Sequence, residues 1–247
     1  MTKRVFVLVM VLVAAVLVVT PSARQAAPQV PNGGTISART AGMQKFDGFY
    51  PLYWDERTGS LFLEIPKLNT EILYQVGLAA GLGSNDIGLD RAQLGDTKIA
   101  RFERVGPRVL MVQPNYDYRA VSDSALERKR VEDAFAKSVI WGFAIAAETD
   151  GRILIDATDF LMRDAHGVTG RLRPASYRFD RSRSAIYLPN TKAFPNNSEV
   201  EVTTTFVTDT PGQSPGQQGG PGEDRASEKR AVGSHQIHRG GSAALEK

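Results

Sequence analysis

The chain contains no cysteine. That absence excludes disulfides, thiolate metal sites, thiol nucleophiles and lipid attachment at a lipobox. Histidine is almost as scarce, with three in 247 residues: His166, His235 and His238. A zincin helix needs two histidines at i and i+4, with Glu after the first as general base. His235 and His238 are three apart, and Gln236 stands where the base belongs, so no HExxH is present. The glycines between Gly81 and Gly88 miss the G-x-G-x-x-G spacing, which removes a dinucleotide fingerprint. A net charge of +3 is spread along the chain rather than gathered in a stripe, and gives no support to a nucleic-acid partner. No serine or threonine nucleophile sits in a recognisable local motif.

What is present begins with an address. Lys3 and Arg4 precede an unbroken apolar run from Val5 to Val19, and Thr20-Pro21-Ser22-Ala23 follows. A basic start, a short apolar stretch and a small-residue exit describe a secretory signal over residues 1–23. The run is shorter than the roughly 20 residues that cross a bilayer comfortably; left uncleaved, it is an N-terminal anchor. Either way the rest of the chain is expected in the periplasm or outside the cell, with no further membrane segment. An exported domain without disulfides relies on its apolar core, which a 42% hydrophobic content allows.

Texture divides the remainder into three. Residues 24–45, with Pro28, Pro31, Asn32, Gly33 and Gly34, read as a flexible leader. Residues 46–209 carry the hydrophobic patterning and nearly all the aromatics, and read as a β-rich accessory domain. From Thr210 the glycine- and proline-rich run to Gly222, with charged and small residues beyond it, reads as a disordered tail over 210–247.

Within the patterned region, Gly48–Trp54 and Gly59–Ile65 flank a turn at Asp55–Thr58. Glu71–Leu78 is a strand candidate. Lys98–Val105 and Arg108–Gln113 meet at Gly106-Pro107, with Ile99, Phe102, Val109 and Met111 expected among the buried residues. Ser124 and Glu127 form a capping box for a helix over about 124–141, with Leu126, Val131, Phe135 and Val139 near helical spacing and Gly142 ending it. Phe143–Glu148 and Arg152–Ile155 flank Asp150-Gly151, a type I′ hairpin signal. Thr158 caps a short second helix, Asp159–Arg163. Tyr177–Phe179 and Ala185–Leu188 bracket another hairpin, and Glu199–Thr208 is rich in β-branched residues. Several hairpins with one substantial helix predict an α+β class built mainly on antiparallel β hairpins.

Four blocks of this region resemble the N-terminal domain, of undefined function, found in bacterial exported zinc-dependent metalloproteases. They are Gly81 to Arg91 continuing through Phe102–Pro107, Phe135 to Phe143, Asp156 to Gly167, and Asp180 to Ala185 running through Tyr187-Leu188-Pro189 to Lys192–Pro195. The resemblance implies a non-catalytic exported accessory or scaffold domain that packs beside an HExxH peptidase domain or its peptide substrate. It stops near Asp209, which implies a truncated relative that is not an enzyme as the chain stands. An autonomous peptide- or glycan-binding module is the alternative.

No catalytic residue, cofactor site or metal site is assigned. Asn85, Asp86 and Asp90 offer oxygen ligands for calcium, yet the D-x-[DN]-x-[DN]-G register is missing and Asx-turns explain them more simply. His166, just before Gly167, reads as a helix C-terminal cap. Asp156, Asp159 and Asp164 invite a paired-carboxylate glycosidase reading; capping explains them with fewer assumptions. Arg181 and Arg183 flank a turn or clamp an acidic segment of an adjoining domain. Trp54 and Trp141 read as core, or as a binding platform.

Overall fold

The computed structural model describes residues 34–81, 88–172, 176–208 and 228–239. The signal segment, Asn85, Asp86 and the first part of the expected tail lie outside the described residues. The strands are β1 (Gln44–Phe46), β2 (Leu52–Asp55), β3 (Ser60–Ile65), β4 (Ile72–Ala80), β5 (Gln93–Val105) and β6 (Arg108–Gln113), then β7 (Ser138–Thr149), β8 (Arg152–Asp156), β9 (Arg178–Ile186), β10 (Lys192–Phe194), β11 (Asn197–Val207) and β12 (Glu228–Arg239). The helices are α1 (Ile36–Arg39), α2 (Ala125–Ala134), α3 (Thr158–Leu161) and α4 (Val168–Arg171). Strands hold 51% of the described residues and helices 14%. The expected α+β class is therefore corrected to mostly antiparallel β.

Turn chemistry sets much of the framework. Asp150 and Gly151 both adopt positive φ, 52° and 77°, the geometry of a type I′ turn, and they join β7 to β8 in register. Gly106, also at positive φ, joins β5 to β6. The strand order is β1-β2-β3-β8-β7-β6-β5-β4-β12-β11-β10, with β9 beside β11 as well. β10 and β9 share one edge of β11, at Asn197–Glu199 and Val202–Val207 respectively.

The sheet curls until its two ends meet. In the link between β1 and β2, Phe49 N–H donates to the Phe194 carbonyl of β10 at 2.7 Å. Tyr50 N–H donates to Ser198 Oγ of β11 at 3.1 Å, and Ser198 returns a bond to the Tyr50 carbonyl at 2.9 Å. Gly48 lies against β10 so closely that a Cβ there would stand 2.6 Å from Ala193 Cβ.

Alternate residues of each strand then face one interior. Leu61, Leu63 and Ile65 of β3, Ile72 and Tyr74 of β4, Phe102 of β5, Val109 and Met111 of β6, Phe143 of β7, Ile153 and Ile155 of β8, and Val200 and Val202 of β11 belong to a single core. α3 plugs that interior with Phe160, whose ring meets Tyr74, Trp141, Phe143 and His235 at 5.3–5.9 Å between centroids. Ile99, expected inside with Phe102, is half-buried on the opposite face, because Ala100 takes the inward position. A second cluster on the outside of the sheet joins Tyr53, Phe62, Ala147 and Leu154 to Ile36 of α1. The leader expected over 24–45 is thus ordered at α1 and β1, where Ile36 has apolar surface to cover and its N–H has Thr149 Oγ1 at 2.9 Å.

Three further expectations are corrected. The helix over about 124–141 ends at Ala134. Ser124 Oγ caps it by accepting from Glu127 N–H, but Ser138 to Thr149 forms β7, a run rich in aromatic and β-branched residues with the whole edge of β6 to pair with. The hairpin expected at Asp180–Arg183 is instead one strand, β9, whose pairing with β11 skips at Thr203/Thr205. Asp180 holds the irregularity with its carboxylate, accepting from Ser182 N–H and Oγ at 3.0 and 2.6 Å. The tail expected to be disordered over 210–247 contains β12, which lies between β4 and β11 in the middle of the sheet order. Two long open edges supply main-chain partners on both sides, and that outweighs the weak strand propensity of Gly233, Ser234 and Gln236.

Candidate functional site

β12 brings His235 inward next to Tyr74 of β4. The ring is buried at 3% exposure, and its Nδ1 lies 2.8 Å from the Tyr74 hydroxyl. Arg163, just beyond α3, donates from Nη2 to the same hydroxyl oxygen at 3.0 Å. Its guanidinium lies 4.8 Å from the Phe160 ring centre and 5.9 Å from that of Trp141, a cation–π arrangement. The Leu161 backbone beside the ring favours the protonated form of His235. With Nε2 as donor, Nδ1 accepts the Tyr74 proton. Arg163 Nη2, the Tyr74 hydroxyl and His235 Nδ1 thus form one buried hydrogen-bonded group.

Electrostatics keep this group neutral at its inner end. Burial, reinforced by the Arg163 charge, lowers the His235 pKa to about 3, against the Leu161 backbone. Burial also pushes the Tyr74 phenol up to about 12, with Arg163 opposing. Neither group titrates near neutral pH. Two cavities of about 20 Å³ adjoin His235, each with room for about one water. A reaction on a larger molecule would require the sheet to open. The arrangement pairs the Tyr74 hydroxyl with His235 and Arg163 inside an apolar interior, leaves Arg163 Nε without a hydrogen-bond partner, and ties β4, β12 and the chain just beyond α3 together.

The residues singled out in the sequence fall mostly elsewhere. His238 points to the opposite face of β12 from His235, where its Nε2 meets Gln236 Oε1 at 3.0 Å; the period of two forbids a shared metal. Among the described residues no group of three His, Asp or Glu side chains is placed to hold a metal ion. His166 does not end a helix. It precedes α4, packs against Gly95 of β5, and has its pKa lowered first by burial and then by Arg171. Asp90 is exposed, and its carbonyl accepts from Gln93 N–H at 3.3 Å; its expected partners Asn85 and Asp86 lie outside the described residues.

The acidic trio serves local structure. Asp156 accepts from Thr158 N–H and Oγ1 at 2.9 and 2.5 Å and so caps α3. The Thr158 hydroxyl in turn accepts from Leu61 N–H of β3 at 2.9 Å. Asp164 accepts from Val168 N–H, Thr169 N–H and Thr169 Oγ1 at 2.7–2.9 Å, capping α4. Asp159 is exposed opposite Arg181 at 3.5 Å, and Arg183 is paired with Asp180 at 2.8 Å. Trp54 and Trp141 are partly buried against the main core.

A second feature lies on the surface. Helix α2 has no buried residue. Leu126 is 60% exposed, Tyr118 54% and Val121 99%, and β7 adds Val139 at 55% beside them in sequence. Tyr118 and Phe135 stack on one another at 4.0 Å. A groove of about 540 Å³ runs between α2 and the segment before it, with Arg101, Arg119, Arg128 and Lys137 set against Glu132 and Asp133.

The fold and its buried centre thus define a curled antiparallel β domain with an aromatic–histidine interior. A family model described as "Domain of unknown function (DUF5117)" matches residues 92–234. That is more than half of the chain, and the chain belongs to this family. The match reaches into β12, well past Asp209, where the resemblance read from the sequence stopped. No curated protein and no solved structure matches the chain.

The buried centre escaped sequence reasoning for a definable reason. The inward residues of β12 are Ala231, Gly233, His235 and Ile237, so hydrophobic alternation is nearly absent. A lone histidine between two β-strand partners leaves no local signature.

Proposed function

We propose that the chain is a non-catalytic, exported accessory domain that packs beside a zinc-dependent peptidase domain, as a scaffold or to present substrate. The observation that carries this reading is α2. A helix with no buried residue and exposed Leu126, flanked by Tyr118, Val121, Phe135 and Val139, presents apolar surface that a domain working alone has little reason to keep. Arg119 and Arg128 in the groove beside it suit an acidic rim on the partner, whereas Arg101 and Lys137 are already paired with Glu103. The resemblance of the four sequence blocks to metalloprotease N-terminal domains supplies the class of partner. The basic and apolar start of the chain supports export.

The test is association. A separately produced HExxH peptidase domain from the resembling metalloproteases should co-elute with the chain in gel filtration. Leu126→Asp should abolish co-elution without moving the unfolding midpoint, since Leu126 makes no core contact. Absence of any complex would end this reading. So would a purified chain that retains one zinc through dialysis and cuts casein in a chelator-sensitive way.

A further inference from the structure

Among the described residues, Arg163 Nε and His166 Nδ1 are both buried and without a hydrogen-bond partner. Both residues line one cavity of about 20 Å³, between the link from α3 to α4 and the strands β4, β11 and β12. A buried polar atom left unpaired costs about 1–3 kcal/mol, and two of them beside one space call for a shared partner. Each atom has a definite role. Arg163 Nε is always a donor. On His166, Nε2 faces Gln93 Oε1 at 3.5 Å, and Arg171 Nη1 donates to that same oxygen at 3.4 Å. Nε2 therefore carries the proton. Burial and the Arg171 charge, against Asp164 and Asp96, keep the ring neutral, so Nδ1 presents a lone pair. Gly95 leaves that nitrogen uncovered: a Cβ there would stand 3.2 Å from it and 2.7 Å from Val76 Cγ2.

We propose that this cavity binds one ordered water molecule, which accepts from Arg163 Nε and donates to His166 Nδ1. The volume suits a single water. The charges around it select a neutral ligand. A metal ion would face the Arg163 guanidinium, and an anion would face the Nδ1 lone pair and Asp164, another lining residue. A molecule that both accepts and donates meets both unpaired atoms, and water does so at this size. Thr204, also on the wall, donates its hydroxyl proton to the Ala231 carbonyl at 3.2 Å, and its oxygen can accept the second water proton. That gives three partners, the usual number for a buried water. The water carries the Arg163–Tyr74–His235 group across to His166 and Gln93, and so fastens the α3–α4 link to β5 as well as to β4 and β12. Nothing in this site depends on what docks at α2.

Crystals of the whole chain, grown with sodium bromide and measured at high resolution, provide the test. A density peak should lie about 2.7–3.2 Å from both Arg163 Nε and His166 Nδ1, with no anomalous signal from bromide. Histidine nitrogen-15 spectra of the whole chain at neutral pH should show His166 protonated at Nε2 and bare at Nδ1. His166→Phe keeps a ring and removes the acceptor, so the peak should disappear. The spectra need no variant and decide the matter even where His166→Phe fails to fold. A cavity without a peak, a bromide signal at the site, a proton on Nδ1, or a peak kept in folded His166→Phe protein would each overturn the proposal.

Discussion

The Tyr74 hydroxyl and His235 Nδ1, 161 positions apart in sequence, meet at 2.8 Å and join β4 to β12 from inside the sheet. Tyr74→Phe keeps the ring that packs against Phe160 but removes both bonds made by the hydroxyl. His235 Nδ1 and Arg163 Nη2 lose that partner in an apolar interior. The expected loss is about 1–3 kcal/mol of stability, read as a lower midpoint in urea. A midpoint equal to that of the parent would show that the chain of hydrogen bonds contributes nothing.

The same histidine makes stability depend on pH. In the unfolded chain it protonates near its ordinary value of 6.5; in the folded chain burial holds it at about 3. Protons therefore favour the unfolded state between those values. Stability is complete above about pH 6.5 and falls as the pH drops toward 3, at up to about 1.4 kcal/mol per unit. His166, also lowered by burial, acts in the same direction. Urea midpoints at about pH 7.5 and about pH 5 isolate this effect, since most carboxylates stay ionised over that range. His235→Gln should remove most of the difference between the two.

Gly48 is required by proximity rather than by its φ. A Cβ there would stand 2.6 Å from Ala193 Cβ and 2.7 Å from Phe194 N, against backbone that cannot swing aside. Gly48→Ala should push the β1–β2 link away from β10 and cost about 1–3 kcal/mol. Loss of exchange protection at Phe49 N–H and Tyr50 N–H would accompany it. Retained protection there, with unchanged stability, would mean that the sheet ends are not held by this contact.

Removal of β12 is expected to be far more damaging than removal of a tail. Its loss strips hydrogen-bond partners from β4 and β11 together and takes His235 and Ile237 from the core. A chain ending at residue 227 should lack cooperative thermal unfolding. A soluble truncated chain that melts as sharply as the parent would contradict the central placement of this strand.

Local chemistry was readable where it acts over a few residues. Asp150-Gly151 specifies a turn with two positive φ values, and alternation in Leu61–Ile65 marks a strand with one clearly apolar face; the turn and the strand both appear in the structure, where β3 is buried on both faces. The Ser124 cap was equally legible, but not the end of its helix, because Phe135 and Val139 satisfy helical spacing while Ser138 onward also satisfies a strand. Only the waiting edge of β6 distinguishes the two. Asp156 and Asp164 show the reverse case: their residue type suggested chemistry, and their hydrogen bonds are spent on capping.

The amino-acid sequence by itself determined the turns at Asp55–Thr58, Gly106-Pro107 and Asp150-Gly151, the helix cap, the exclusion of thiol chemistry and the absence of a zincin motif, since each depends on residue identity at short range. The tertiary structure alone decided that a polar, glycine-containing stretch near the C-terminus becomes an inner strand, that His235 lies inside, and that α2 stays uncovered. Those outcomes follow from which strand edges and apolar faces are left without partners once the sheet has curled, and no local pattern encodes that.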